Sequence, residues 1–280
     1  MLKFLSKMKN GEPGASLEGI SVVIPTYNET ENVVPLCERL FASLRKDLPQ
    51  HPTELLLVDD ESAGSDETER LVRGLASKGF PIRMHRRYKK EGRGLSSAVM
   101  LGFAQAKYEI LLSMDADLQH EPEAVPAVAA PVMNQDAEFT VGCRYTSGGG
   151  IAFNWSLKRQ ILSLGATCLA WGLCSSRDPM SGFFCTRKSI LKRGDGKISP
   201  IGFKIGLEIM ARCGCKVQDV PIMFQERLHG ESKLSAKQNI EYIQQLLGLY
   251  WDGYKGLVVF MILSILLLVA VVMRFVSSML

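Results

Sequence analysis

The stretch YEILLSMDADLQ, residues 108–119, joins an apolar run to two carboxylates and decides how the chain is interpreted. Residues 108–114 have the composition of a buried strand, and Asp115 and Asp117 follow directly. Side chains two positions apart in an extended chain lie on the same face. Together with the amide oxygen of Gln119 they offer the hard oxygen ligands that Mg²⁺ or Mn²⁺ prefers. A D-x-D pair alone is more often a solvated turn or a helix cap, so the surrounding chain has to support the cation site.

Other apolar runs of strand length occur on both sides of this stretch, and helical patterns separate them. Continuous apolar strands that alternate with helices predict a mostly parallel sheet covered by helices on both faces, a Rossmann-like α/β fold. Ligands bind such sheets beyond the carboxyl ends of the strands. The predicted strands are residues 20–25, 55–58, 82–85, 108–114 and 137–143, and the predicted helices are residues 29–46, 65–77, 94–106 and 121–134.

Acidic residues follow three of these strands. Glu29 comes after the first, Asp59 and Asp60 after the second, and the D-x-D pair after the fourth. Because like charges repel, a fold that gathers these groups at one edge needs a cation or a donor-rich ligand there. Asp60 could accept hydrogen bonds from a base or a ribose, and Tyr27 offers a stacking face. The alternative is that Glu29, Asp59 and Asp60 cap the helices that follow, which suits one of them better than all three.

The second half of the chain is less regular and ends in an apolar run. Residues 153–171 and 203–213 read as helices, and residues 182–186 and 217–224 as strands. Residues 235–255 read as an amphipathic helix that lies on a membrane surface or packs on the domain. Residues 256–273 contain no charge and would span about 27 Å as a helix, so they predict a membrane crossing. The expected organisation is therefore a mobile arm (1–19), a catalytic domain (20–234), the amphipathic helix, the membrane helix and a short tail (274–280).

Composition excludes several classes of function. The net charge of +4 gives no support for nucleic-acid binding. The seven cysteines are irregularly spaced, which indicates exposure to a reducing compartment rather than a disulfide framework. The first strand is not followed by the glycine fingerprint of dinucleotide-binding oxidoreductases. The segment EGRGLSS (91–97) opens a helix, where it serves either as a phosphate-binding turn or as a plain helix start.

The motifs together resemble the family-2 glycosyltransferases of the GT-A fold, and within them the dolichol-phosphate mannosyltransferases. The resemblance covers about residues 20–235 and departs from the common pattern at Glu61 and Glu121. The matching stretches are VVIPTYNE (22–29), VDDES (58–62), RGLSSAV (93–99), MDADLQHEPE (114–123), GCRY (142–145), DPMSGFF (178–184), GFKI (202–205) and GESKL (230–234).

This resemblance implies a role for each matched position. The guanosine part of GDP-mannose would be held by Pro25, Tyr27, Glu29, Val58 and Asp60. The diphosphate and the Mg²⁺ or Mn²⁺ ion would be held by Asp115, Ala116, Asp117 and Gln119, with Asp115, Asp117 and Gln119 as the metal ligands. The donor diphosphate and the acceptor phosphate would be gathered by Arg144, Arg159, Arg227 and Lys233. Asp115, Asp117 and Arg144 are the implied catalytic groups.

The implied activity is the transfer of mannose from GDP-mannose to dolichyl phosphate with inversion, giving the lipid-linked mannose donor for N-glycosylation, O-mannosylation and GPI-anchor synthesis. The expected setting is the endoplasmic reticulum membrane, crossed once, with a cytosolic catalytic domain, the lipid bilayer as a partner and no obligatory accessory subunit. Two alternatives remain open from the residues. One is a polyprenyl-phosphate glucosyltransferase that uses UDP-glucose, and the other is a nucleotide-binding membrane scaffold without turnover.

Overall fold

The structure, a computed structural model, describes residues 19–88, 93–152, 157–227 and 237–255, without the side chains of residues 157–159 and 162. Its strands are β1 (Ile20–Thr26), β2 (Thr53–Asp59), β3 (Ile82–Arg86), β4 (Ile110–Ser113), β5 (Phe139–Cys143), β6 (Gly150–Ile151), β7 (Phe184–Arg187), β8 (Val217–Pro221) and β9 (Met223–Phe224). Its helices are α1 (Val33–Asp47), α2 (Ser65–Ser77), α3 (Leu95–Gln105), α4 (Val125–Met133), α5 (Leu157–Leu169), α6 (Lys188–Leu191), α7 (Ile205–Cys213) and α8, residues 237–255.

Seven of the strands form one sheet in the order β3-β2-β1-β4-β7-β5-β8. Only β7 runs antiparallel to its neighbours, so the predicted mostly parallel sheet is confirmed. The reversed strand has a consequence for function. Phe184 at the start of β7 pairs with Ser113 at the end of β4. The segment that leads into β7 therefore reaches the same sheet edge as the D-x-D pair.

The core consists of two apolar layers, one on each face of this sheet. Val22 and Ile24 pack in the layer under α1, α2 and α4, while Val23, between them, packs in the layer under α3 and α7. Leu57 and Val58 of β2 divide in the same way. Because side chains alternate along a strand and both faces are covered, the strands read as unbroken apolar runs.

Two predicted elements differ in detail from the structure. Residues 217–224, predicted as one strand, are divided at Ile222, and β9 leaves the large sheet to pair with β6. β8 ends at Pro221, opposite Cys143 at the end of β5, and the Ile222 amide still donates to the Cys143 carbonyl at 3.1 Å. The helix predicted from residue 29 begins with the 3₁₀ turn Thr30–Asn32 before α1.

The C-terminal part is described up to residue 255. The predicted amphipathic helix is present as α8 over the described residues 237–255. No helix within the described ranges is both long enough and apolar enough to cross a membrane. The predicted span at 256–273, the tail at 274–280 and nearly all of the N-terminal arm lie outside those ranges.

Candidate active site

The first half of the site lies where β1 and β2 end, around the carboxylate of Asp60. The Asp60 amide donates to Thr26 O at 2.9 Å, which joins the ends of the two strands. One carboxylate oxygen accepts from the Gly94 amide at 2.8 Å, and the other lies 3.1 Å from the Arg87 guanidinium. Arg87 also donates to Ser97 Oγ at 2.9 Å. The carboxylate is thus fixed between β2 and the start of α3.

Arg87 is a site residue that the sequence did not reveal. It follows β3 in a basic stretch that reads as solvent-exposed, yet only 1% of its surface is accessible. A buried arginine requires an ionic partner, and here Asp60 supplies it. The like charges predicted to repel at this edge are therefore balanced in part by the protein's own cations: Arg87 at Asp60 and Arg93 at Glu61.

The adjacent carboxylate, Asp59, has a structural role instead. It is buried and accepts hydrogen bonds from Ser62 Oγ and Ser65 Oγ, each at 2.5 Å, and from the Ser62 amide at 3.1 Å. Asp59 therefore organises the turn before α2 but does not cap that helix, whose N-cap is Gly64 without a side-chain cap hydrogen bond. Glu29, at the N-cap of the following 3₁₀ turn, likewise makes no side-chain cap hydrogen bond. Glu61 in this turn has a left-handed φ of 57°, a conformation that suits Asn or Gly better than Glu.

The other residues expected near a nucleoside differ in exposure. Tyr27 presents 43% of its surface to solvent, as a stacking residue would. Pro25 lies in β1, whereas the Val58 side chain is fully buried in the core. Glu29 accepts a hydrogen bond from Asn32 at 2.8 Å. Burial raises the pKa of the Asp115 carboxyl, and the charge of Glu29 adds to that rise. Glu29 therefore links this half of the site with the D-x-D half.

The second half of the site is the turn after β4, which carries Asp117 and Gln119. Asp117 Oδ2 lies 2.7 Å from an Arg227 nitrogen, which also donates to Gln119 Oε1 at 3.3 Å. Gln119 Nε2 donates to the Gln225 carbonyl at 3.1 Å, which turns its Oε1 toward Arg227. Leu118, between the two, takes a left-handed φ of 61°, so the turn brings both oxygens to the same cation.

Burial raises the pKa of both Asp115 and Asp117, and the charge of Asp115 raises that of Asp117 further. Lys204, Arg227 and Arg144 oppose the rise at Asp115. Ala116, between the two carboxylates, is buried. The Arg227 guanidinium occupies the place of a cation beside Asp117 and Gln119, so this oxygen set fits a hard divalent ion. Within the described chain no group of three or more His, Cys, Asp or Glu side chains could hold a metal, so such an ion would also use the Gln119 amide and oxygens of a ligand.

Arg144, at the end of β5, forms a paired contact with Asp178. Its Nε and one terminal nitrogen each lie 2.7 Å from a different carboxylate oxygen, and both side chains are nearly inaccessible. The guanidinium also lies 5.2 Å from the ring centres of Tyr145 and Phe224. Asp178 was not among the predicted site residues, although it belongs to the DPMSGFF stretch. An acidic residue in an otherwise apolar segment was the available signal.

The segment that carries Asp178 also touches the D-x-D pair. A side chain at Gly182 would place its Cβ 2.9 Å from Asp115 Oδ1, so a larger residue there would displace the Asp115 carboxylate. The Lys204 ammonium donates to the Met180 carbonyl at 2.5 Å, and burial together with Arg144 lowers the pKa of Lys204 to about 8. Lys204 is thus a second cation of the site that the sequence did not single out.

The side chains of two predicted basic residues are not among those that the structure describes. The backbone of Arg159 lies in α5, but its side chain is not described, and Lys233 lies outside the described residues. Arg144 and Arg227 do reach the site. Paired carboxylate oxygens surrounded by arginine and lysine can bind a diphosphate together with a cation and stabilise negative charge on a leaving phosphate.

The chain matches one family model and is similar to three known proteins. The model described as Glycosyl transferase family 2 matches residues 21–194. A dolichol-phosphate mannosyltransferase of Saccharomyces cerevisiae is 42% identical over 237 residues, covering 82% of this chain and 86% of the relative. One of Mycosarcoma maydis is 38% identical over 267 residues, covering 93% and 89%. A mannosyltransferase of Pyrobaculum calidifontis, solved with GDP-Man and Mn²⁺, has a similar fold with a TM-score of 0.51 at 16% identity, covering 90% of this chain and 74% of that one.

Proposed function

The chain belongs to glycosyl transferase family 2, and from this membership we propose that it transfers mannose from GDP-mannose to dolichyl phosphate. Two relatives with that acceptor in their name match most of the chain at 38–42% identity. The observation that carries the proposal is the oxygen set of Asp117 and Gln119 around Arg227, on the same sheet edge as Asp60. The GDP-Man-bound mannosyltransferase of similar fold supports the choice of donor.

In the proposed reaction each half of the site has a separate task. Tyr27 and Asp60 hold the guanosine, and Arg227 holds the donor diphosphate. Asp115, Asp117 and Gln119 would hold Mg²⁺ or Mn²⁺, which when bound neutralises charge on the diphosphate. Arg144, oriented by Asp178, positions the acceptor phosphate.

The chemistry is then a single displacement. A bond forms between an oxygen of dolichyl phosphate and C1 of mannose, while the bond from C1 to the diphosphate breaks and its electron pair leaves with GDP. Attack opposite the leaving group inverts C1 and gives dolichyl β-D-mannosyl phosphate. The attacking oxygen is anionic at neutral pH, so the site needs no strong general base. Rate acceleration comes from positioning and from stabilising the negative charge on GDP.

This proposal is tested by incubating the full-length protein in vesicles with dolichyl phosphate and radiolabelled GDP-mannose. We expect label in an acid-labile lipid, loss of that label with EDTA, and recovery after excess Mg²⁺ or Mn²⁺. UDP-glucose serves as the rival donor in a parallel reaction. Transfer from UDP-glucose alone would replace this function by polyprenyl-phosphate glucosylation. Nucleotide binding without transfer from either donor would favour the scaffold.

The same proposal places the protein on the endoplasmic reticulum membrane with its catalytic domain in the cytosol. Its support is an exposed apolar face on α8, where Ile240, Leu247 and Trp251 are each at least 57% accessible. Trp171, just beyond α5, is 80% accessible, and its carbonyl accepts from Tyr250 of α8 at 2.5 Å. Apolar and aromatic side chains on one face of a helix suit the boundary of a bilayer. Residues 256–273 would continue from α8 into the membrane as a single span.

Trp251 provides a direct measurement of this placement. A variant with Trp155→Phe and Trp171→Phe retains Trp251 as the single tryptophan. We expect its fluorescence to be quenched more by lipids brominated near the headgroups than by lipids brominated at the acyl-chain ends, because α8 lies at the boundary. The variant that retains Trp171 instead is the matched control for the neighbouring surface. Quenching of Trp251 by aqueous acrylamide alone would show that α8 faces water.

A further inference from the structure

Helix α8 contacts the site region through Gln245, a buried polar residue on the side opposite its exposed apolar face. Gln245 is 7% accessible, and its amide nitrogen donates both to the Lys204 carbonyl and to Glu208 Oε2, each at 3.1 Å. Leu246 packs in a small apolar cluster with Met180. Gln245 thus joins α8 to Lys204 and to α7, while Leu246 packs with Met180 of the segment before β7.

The contact continues from Lys204 into the site. Its ammonium donates to the Met180 carbonyl at 2.5 Å. Met180 lies between Asp178, which binds Arg144, and Gly182, which abuts Asp115. Two hydrogen bonds therefore connect a side chain of α8 with the segment that orients a predicted acceptor-binding arginine and borders the D-x-D pair.

The second acceptor of Gln245 is held rigidly. Glu208 is 1% accessible, and its other oxygen accepts from the Ser199 amide at 3.0 Å and from Arg212 Nε at 3.1 Å. Because Glu208 has these partners, it provides Gln245 with a fixed point in α7. The bond to Lys204 then places the Lys204 backbone relative to α8 as well as to α7.

We infer that Gln245 is a positioning residue for mannosyl transfer, acting through Lys204 on residues 178–182. This inference rests on the proposed function and goes beyond it, because it connects the helix proposed to lie on the bilayer with the acceptor side of the site. Guanosine-holding residues such as Asp60 lie at the ends of β1 and β2, whereas the two hydrogen bonds of Gln245 go to Lys204 and Glu208. Gln245 therefore acts on turnover and leaves nucleotide affinity unchanged.

The test compares Gln245→Met with Gln244→Met in the full-length protein in vesicles. Both substitutions keep side-chain length and helix propensity. Gln244 is exposed on the face of α8 that carries Ile240 and Leu247, so vesicle binding is measured for both variants and kcat is compared at equal bound protein. We expect Gln245→Met to lower kcat by about ten- to a hundredfold, as displacement of a catalytic group by an ångström or less does. KM for GDP-mannose and the calorimetric affinity for GDP stay at wild-type values, which also shows that the variant is folded.

A second arm separates positioning from general support of the fold. If Gln245 acts through the Lys204 ammonium, Lys204→Met combined with Gln245→Met has the same kcat as Lys204→Met alone. Multiplicative losses in the double variant, equal kcat for Gln245→Met and Gln244→Met, or a parallel loss of GDP affinity would each overturn the inference. Wild-type transfer in the same assay establishes the proposed function first, so failure of the linkage is distinguishable from failure of that function.

Discussion

Replacing Asp117 by Asn is expected to lower kcat for mannosyl transfer by about 10²–10³-fold, the loss typical when a preorganised charge-stabilising group is removed. The amide has nearly the same shape, so the turn after β4 is retained. The negative charge is lost, and with it one ionic partner of Arg227 and one proposed ligand of the divalent cation. GDP should still bind through the first half of the site, but its affinity should no longer depend on Mg²⁺ or Mn²⁺.

The same substitution should leave stability unchanged or raise it. Burial and the nearby Asp115 raise the pKa of Asp117, so the ionised carboxylate is less favourable in the folded protein than in the unfolded chain. A neutral isostere removes this cost. Thermal unfolding and single-turnover kinetics on one preparation measure both effects, and Asp136→Asn, at an exposed acid after α4, is the control for loss of a surface charge. Wild-type turnover by Asp117→Asn would exclude a role for this carboxylate in cation binding.

The parts of the molecule that the sequence predicts are those that carry a short-range pattern. The run Val22, Val23 and Ile24 predicts a strand because a strand covered on both faces has apolar side chains at consecutive positions. The D-x-D pair is recognisable because it follows such a strand at once. The predicted sheet and its edge therefore rest on short-range patterns.

The buried cations could not be found in this way. Arg87 meets Asp60, and Lys204 meets Met180, only after distant segments of the chain are brought together. Arg87 stands in a basic stretch that reads as surface, and Lys204 stands in the GFKI stretch, where nothing local indicates burial. The contact between Arg144 and Asp178 likewise depends on the reversed strand β7, a feature of topology that no local period encodes. Burial of a charged group depends on a partner from another segment of the chain, so local sequence patterns do not identify it.

At the pair of Arg144 and Asp178, a single substitution should lower stability and activity together. Asp178→Ala leaves the Arg144 guanidinium in a nearly inaccessible position without its paired acceptor. Removing one partner of a buried ion pair costs about 3–5 kcal/mol, so we expect the free energy of unfolding to fall by that amount and transfer to be lost. Chemical denaturation and the vesicle assay measure the two quantities.

Combining Asp178→Leu with Arg144→Met should recover most of the stability lost in Asp178→Ala, because apolar residues of similar volume often replace a buried ion pair without cost. The double variant should nevertheless remain inactive, since the cation proposed to position the acceptor phosphate is gone. Calorimetric GDP affinity should be close to wild type in this variant, because Asp60 and Arg87 are untouched. Recovery of transfer along with stability would mean that the pair only supports the fold, and the acceptor phosphate would then have to be positioned by other cations of the site such as Arg227 and Lys204.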